Sequence, residues 1–230
     1  MSVKENLNKI QLNIDDFKQK YNRNNVKLIP VSKVHPIERI LEAMEAGYEV
    51  FGESYVQELK EKYDDFEARG IKQPTWHFIG HLQSNKVKYI APFIDTIHTV
   101  DKLKLAIEID KRAEQNNRKI KVLIQVNTSG EDSKFGIEPS EIYTLVEEVL
   151  KLNNIELIGL MTIAGLEATP EENEKEFALL AKLLQEINSK YNLSLSELSM
   201  GMTSDYELAI KQGSTMIRIG TAIFGERVYG

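Results

Sequence analysis

Eight short apolar runs, each separated from the next by a stretch of helical periodicity, constrain this chain more than any other feature. The runs are Val26–Ser32, Tyr48–Gly52, Thr75–Ile79, Ile94–Val100, Ile120–Val126, Ile155–Ile163, Leu198–Met200 and Thr215–Ile219. They are continuously apolar rather than alternating, so both faces of each strand must be covered, which is the signature of a parallel sheet. Between them, helical spacing marks Pro36–Ala46 before Gly47, Tyr55–Ala68 before Gly70, Asn85–Ile90, Pro139–Leu152 and Asp205–Lys211. Asp101 reads as the N-cap of a helix running to Asn116. Thr169-Pro170-Glu171-Glu172 combines a capping residue, a proline at the first helical position and a glutamate three residues after the threonine.

Eight strand–helix units in 230 residues point to a single-domain (β/α)8 TIM barrel, which typically needs about 250 residues. An open doubly wound sheet is the alternative that periodicity leaves standing. Ahead of the first strand, Val3, Leu7, Ile10, Ile14, Phe17 and Tyr21 form one apolar stripe, so residues 1–24 predict an extra N-terminal helix packed on the barrel. Hydrophobic residues make up 42% of the chain, enough for a sizeable core.

Composition narrows the function. The net charge of −6 argues against a nucleic-acid partner. With no cysteine, disulfides, thiolate metal sites and thiol nucleophiles are excluded. Met1–Tyr21 lacks the apolar core of a signal peptide, and no apolar stretch reaches membrane-spanning length. The expectation is a cytoplasmic protein, and its acidic surface suits a monomer.

In barrels of this class, the active site lies where the strands end. Lys33 ends the first run, Glu53 and Ser54 follow the second, and His81 follows the third. Asn127 ends the fifth, Met161-Thr162 lie at the end of the sixth, and Met200-Gly201-Met202-Thr203 follow the seventh. Arg218-Ile219-Gly220-Thr221 close the eighth. A lysine desolvated at a barrel mouth has an enlarged neutral fraction and can form a Schiff base with an aldehyde; the competing reading is a lysine reaching to solvent. Gly220 would admit backbone N–H groups to a phosphate, with hydroxyls from Thr221, Thr203 and Ser204. On these residues alone, a cofactor-free Schiff-base aldolase is one reading. His77 and His81 have a metal-pair spacing only on a helix, whereas this stretch reads as strand then loop, so no metal site is expected. Asn127–Asp132 lacks the spaced acidic ligands of a calcium loop, and Lys134 beside it reads as solvent-exposed.

Five segments, in order, carry a family resemblance: Ile29-Pro30-Val31-Ser32-Lys33, Phe51-Gly52-Glu53, Trp76 to Lys86 (WHFIGHLQSNK), Leu198-Ser199-Met200-Gly201-Met202 and Arg218 to Gly225 (RIGTAIFG). The chain resembles the pyridoxal phosphate homeostasis proteins, whose fold is similar to the alanine racemase barrel, the fold type III of pyridoxal phosphate proteins. The resemblance implies that Lys33 holds pyridoxal 5′-phosphate as a Schiff base, that Met200, Gly201, Thr203, Ser204, Gly220 and Thr221 hold its phosphate, and that Arg218 faces the pyridine nitrogen. Ser54 and His81 would lie beside the cofactor. Ser54 stands where the family usually has Asn, and Thr203 where Ser is usual. The implied role is in vitamin B6 and amino-acid homeostasis, with apo pyridoxal phosphate enzymes as partners. An amino-acid racemase is the alternative. An arginine at the ring nitrogen disfavours its protonation and weakens the ring as an electron sink. The second base of alanine racemase lies in an additional domain, for which 230 residues leave no room, so slow or absent racemisation is expected.

Overall fold

The computed structural model describes residues 2–131, 134–165 and 168–226. Its strands are β1 (Lys27–Pro30), β2 (Val50–Glu53), β3 (Thr75–Phe78), β4 (Thr96–Val100), β5 (Ile120–Gln125), β6 (Ile155–Met161), β7 (Glu197–Ser199) and β8 (Met216–Ile219). They form one sheet in the order β1-β8-β7-β6-β5-β4-β3-β2, with every hydrogen-bonded pair parallel. The two ends of that sheet meet. Val31 bridges Gly52 in parallel, and the Ser32 N–H donates to the Gly52 carbonyl at 3.1 Å. An open doubly wound sheet is thereby excluded, and the (β/α)8 barrel stands.

The helices are α1 (Val3–Lys20), α2 (Ile37–Glu45), α3 (Val56–Ala68), α4 (Val87–Ile90), α5 (Leu103–Gln115), α6 (Ile142–Val149), α7 (Pro170–Tyr191), α8 (Tyr206–Lys211) and α9 (Thr221–Phe224). The start signal read at Thr169 is a full capping box: its side chain accepts from the Glu172 N–H, and Glu172 accepts from the Thr169 N–H. Gly47 and Gly70 take positive φ beyond the ends of α2 and α3, as stop signals should. Helix α1 buries Val3, Leu7, Ile10 and Ile14 and packs beside α2, α8 and α9. Asn6 donates to the Ile223 carbonyl at 2.9 Å, and Lys20 pairs with Glu207 at 2.9 Å, fixing the N-terminal helix to the last two helices.

Several boundaries differ from expectation. Lys102, not Asp101, occupies the N-cap position of α5, because the Asp101 carboxylate turns toward His81 (3.8 Å) and the Lys102 ammonium (3.8 Å) instead of the helix. Strand β2 begins at Val50 because the Tyr48 N–H still bonds back to the Ala43 carbonyl at 3.1 Å, within the cap of α2. The segment read as a helix from Asn85 starts as a 3-10 turn over Ser84–Lys86 before α4.

The main apolar core lies between barrel and helices. Trp76 sits at its centre near β2 and α3, with Phe66 edge-on at 6.0 Å and Phe51 at 6.4 Å. Where β6 meets β7, Gly159 pairs with Glu197. A Cβ at Gly159 would overlap the Glu197 carbonyl and the backbone behind it. Only glycine permits that approach. Gly159→Ala should therefore destabilise the fold by about 3 kcal/mol, seen as a lower urea midpoint with unchanged slope; an unchanged midpoint would show that the two strands can separate without loss.

Candidate functional site

A cavity of about 290 Å3 opens at the C-terminal ends of the strands. Lys33 lines it from the loop after β1, Ser54 from the end of β2, and Arg218, Gly220 and Thr221 from β8 and the start of α9. Thr203 and Ser204, in the loop after β7, complete the rim. Seven of the ten residues singled out in the sequence thus converge on one volume, close to the lower end of the roughly 300–1,000 Å3 range of small-molecule sites.

The loop that carries Lys33 is locked from beneath by buried ions. The Lys62 ammonium, on α3, donates to the Ser32 carbonyl at 2.8 Å and pairs with Glu53 and Glu58 at 2.6 Å each. Glu58 in turn accepts from the Val34 N–H at 2.6 Å, and the Ser32 hydroxyl donates to Glu53 at 2.7 Å. Burial pushes the Glu53 carboxyl above the usual carboxylate range, against the pull of Lys62. This net holds Val34 at φ 60, a strained value for a β-branched residue. The strain sits one residue after Lys33 and fixes the direction in which the chain leaves β1.

Arg218 forms the opposite wall. It is 4% exposed, and its guanidinium donates to the Ser199 hydroxyl at 2.7 Å and to the Thr162 carbonyl at 2.9 Å. Burial lowers its pKa to about 10, so it remains charged at neutral pH. The nearby Asp205 carboxyl accepts from the Met202 N–H and is pushed up by burial. Gly220 lies under the cavity where a Cβ would stand 3.1 Å from the Val31 carbonyl. On the β2 side, Gly80 packs so tightly on the Ser54 backbone that no Cβ could fit.

Three of the singled-out residues lie elsewhere. His81 stacks on Phe135 (3.8 Å between ring centres) and borders a neighbouring depression with Lys102 and Lys104. Met200 is buried in the core, and Gly201 turns the chain at φ 96 with the Ala209 methyl against it, so that Met202 rather than Met200 reaches the cavity. His77 points into the barrel interior, 2.9 Å from His98, and is well separated in role from His81. Among the described residues, no group of three His, Asp or Glu side chains could hold a metal. Asn127 organises its own loop, accepting from Ser129 and Gly130 and donating to Glu138 and the Glu131 carbonyl. Lys134, read as solvent-exposed, is largely covered and paired with Glu131 at 2.8 Å, while Asp132 lies outside the described residues. His35 and Ile163 line the cavity without having been singled out; His35 follows Lys33 by two residues, and that proximity was its only sequence signal.

Comparison with known proteins places this geometry. The profile for the alanine racemase N-terminal domain matches residues 6–228. The pyridoxal phosphate homeostasis protein of Vibrio cholerae is 45% identical over 231 residues, covering 99% of this chain and 98% of that protein. The human protein of the same name is 41% identical over 213 residues, covering 88% of this chain and 77% of its own length. PipY of Synechococcus elongatus, solved with pyridoxal phosphate bound, is 35% identical with a TM-score of 0.86, covering 97% of this chain and all of that one. Alanine racemase of Clostridium difficile shares the fold at a TM-score of 0.73 and 18% identity, with 96% of this chain matched to 57% of the larger enzyme. The chain belongs to the alanine racemase N-terminal domain family and, within it, to the pyridoxal phosphate homeostasis proteins.

Proposed function

We propose that the cavity binds pyridoxal 5′-phosphate through Lys33 and that the protein holds the cofactor in reserve for cofactor and amino-acid homeostasis. The observation that carries this reading is the pairing of a lysine amine and a buried arginine across one cavity whose rim is set with three hydroxyls. When bound, pyridoxal phosphate supplies an aldehyde that condenses with an amine and a conjugated ring that absorbs visible light. Lys33 supplies the amine. Thr203, Ser204 and Thr221, with the backbone at Gly220, are suited to a phosphate, since short hydroxyls and an unobstructed N–H can all donate to it. Ser54 offers one hydroxyl beside the ring. Arg218 would present a fixed cation to the ring nitrogen, disfavouring a proton on that atom and leaving the ring a poor electron sink. That favours storage over turnover, and apo pyridoxal phosphate enzymes in the cytoplasm are the natural recipients of a cofactor held by a monomeric carrier.

The likeness to the pyridoxal phosphate homeostasis proteins of Vibrio cholerae and human, and the pyridoxal phosphate bound in the PipY structure, support this assignment. The purified protein, loaded with pyridoxal phosphate, should be yellow, and borohydride followed by peptide mapping should place the label on Lys33. Lys33→Ala should lose the visible band while keeping its fold. A wild-type protein that stays colourless with added cofactor would instead favour a cofactor-free aldolase, and racemisation at enzymatic rates would favour the racemase.

Two substitutions test the supporting groups. Thr221→Val should weaken pyridoxal phosphate binding by roughly tenfold or more, the scale of one hydrogen bond to a charged group, and leave binding of unphosphorylated pyridoxal little changed. Lys62→Met strands Glu53 in the core and should cost about 3–5 kcal/mol in urea unfolding, with much of the loss recovered when Glu53→Gln is added. Equal losses in the single and double variants would mean that the pair does not act as a unit.

A further inference from the structure

The interior of a barrel of this kind is usually filled by branched apolar side chains. Here a polar line crosses it. Arg218 of β8 donates to the Ser199 hydroxyl of β7 at 2.7 Å. Ser199 Oγ lies 2.8 Å from Nδ1 of His98 on β4, and His98 Nε2 lies 2.9 Å from Nδ1 of His77 on β3. His77 Nε2 faces Asp95 Oδ2 at 3.7 Å. Asp95 and His77 border a second cavity, about 600 Å3, at the N-terminal ends of the strands. The line therefore runs from the floor of the candidate cofactor site to the opposite mouth of the barrel.

The direction of every proton in this line follows from its two ends. Arg218 can only donate, so Ser199 Oγ accepts from it, and the hydroxyl proton is left to go to His98 Nδ1. His98 must then carry its proton on Nε2 and donate to His77 Nδ1. His77 in turn carries its proton on Nε2, aimed at the carboxylate of Asp95. The reverse order would put an unprotonated ring nitrogen against that carboxylate and leave the Ser199 proton with no acceptor in the line. Both rings must be neutral, because a charged imidazole donates from both nitrogens and would break the order at one neighbour.

We propose that His77, His98 and Ser199 form a one-directional hydrogen-bond relay, biased electrostatically by Asp95 at its far end, that orients Arg218, and that the two histidines are positioning residues for the cofactor site. This rests on the reading that Arg218 faces the cofactor ring. Burial favours the neutral rings: it lowers His98 well below its ordinary value and His77 to about 4. The charged groups acting on the pair are Asp95, Lys121 and Lys27 at His77, and Arg218 at His98, with Asp205 acting on Arg218 itself. Asp95 is in addition held by the Thr96 hydroxyl at 2.7 Å and by Lys121 at 3.5 Å.

Nitrogen NMR of histidine-labelled protein without cofactor reads the relay directly, since the chain has four histidines. His77 and His98, assigned by loss of their signals in His77→Gln and His98→Gln, should both be neutral with the proton on Nε2 from about pH 8 to about pH 5. Asp95→Asn should shift the nitrogen resonances of both rings, including the more distant His98, and should move the visible band of the loaded protein. A proton on Nδ1 of His98, a charged ring at neutral pH, or an Asp95→Asn protein with unmoved His98 resonances would overturn the relay. Correct tautomers in a protein that fails to bind pyridoxal phosphate would uphold the relay and overturn only the cofactor assignment, because the NMR reading needs no cofactor.

Discussion

The barrel closes through one thin seam, and the placement of the site depends on it. Between β1 and β2 the barrel is closed by the Val31–Gly52 bridge and by the hydrogen bond from the Ser32 N–H to the Gly52 carbonyl. Gly52 is what lets the strands meet: a Cβ there would press on Ile79 at 3.1 Å and Ile29 at 3.2 Å. If this seam opened, β1 would remain on β8 but lose its fixed relation to β2. Lys33 leaves the barrel two residues after the bridge, so closure sets where its amine stands relative to Ser54 on one side and Gly220 on the other. The buried ions around Lys62 reinforce the same seam by joining the Ser32 carbonyl, the end of β2 and α3.

Burying charge in the middle of a barrel carries a desolvation cost that only good hydrogen bonding offsets. The molecule meets that demand in two ways. At the β1–β2 seam, opposite charges lie in contact and the carboxylates also serve backbone and hydroxyl donors. At β7 and β8, among the described residues, no carboxylate pairs with Arg218; a hydroxyl and a backbone carbonyl accept its protons, and a line of neutral groups extends behind them. A guanidinium satisfied by neutral acceptors keeps its positive field at the cavity wall, whereas one paired to a carboxylate would be largely cancelled there.

The strands were legible because burial on both faces leaves an uninterrupted apolar run, a pattern that survives without any tertiary knowledge. Lys33 and Arg218 stood out for the complementary reason, as charges at the ends of such runs. Lys62 gave no such signal. Within VQELKEKYDDF it sits among other lysines and acids at helical spacing, and nothing local distinguishes a solvated i,i+4 pair with Glu58 from a buried one. The His77–His98 contact joins two strands across 21 residues, so only the barrel's register creates it. The same limit explains Met200 and Asp101: one positive-φ glycine redirects which methionine faces the cavity, and one loop partner draws a capping residue away from its helix.

A gradient of exposure runs across the cavity. Arg218 at its floor is nearly sealed from solvent, whereas Thr203, Ser204 and Thr221 at its rim are exposed. In the binding mode proposed above, the ring end of the cofactor meets the rigid, preorganised side and the phosphate meets the accessible one. Interactions with exposed hydroxyls are weakened by competing water, while those with the buried arginine are not. The floor would then be the rigid end of the site, and the hydrogen bonds to the phosphate would lie on its accessible side. A site built to commit the cofactor to chemistry places its strongest contacts where they exclude water from the reacting atoms. The arrangement here leaves one end accessible, and that asymmetry fits the homeostasis role proposed above better than committed chemistry.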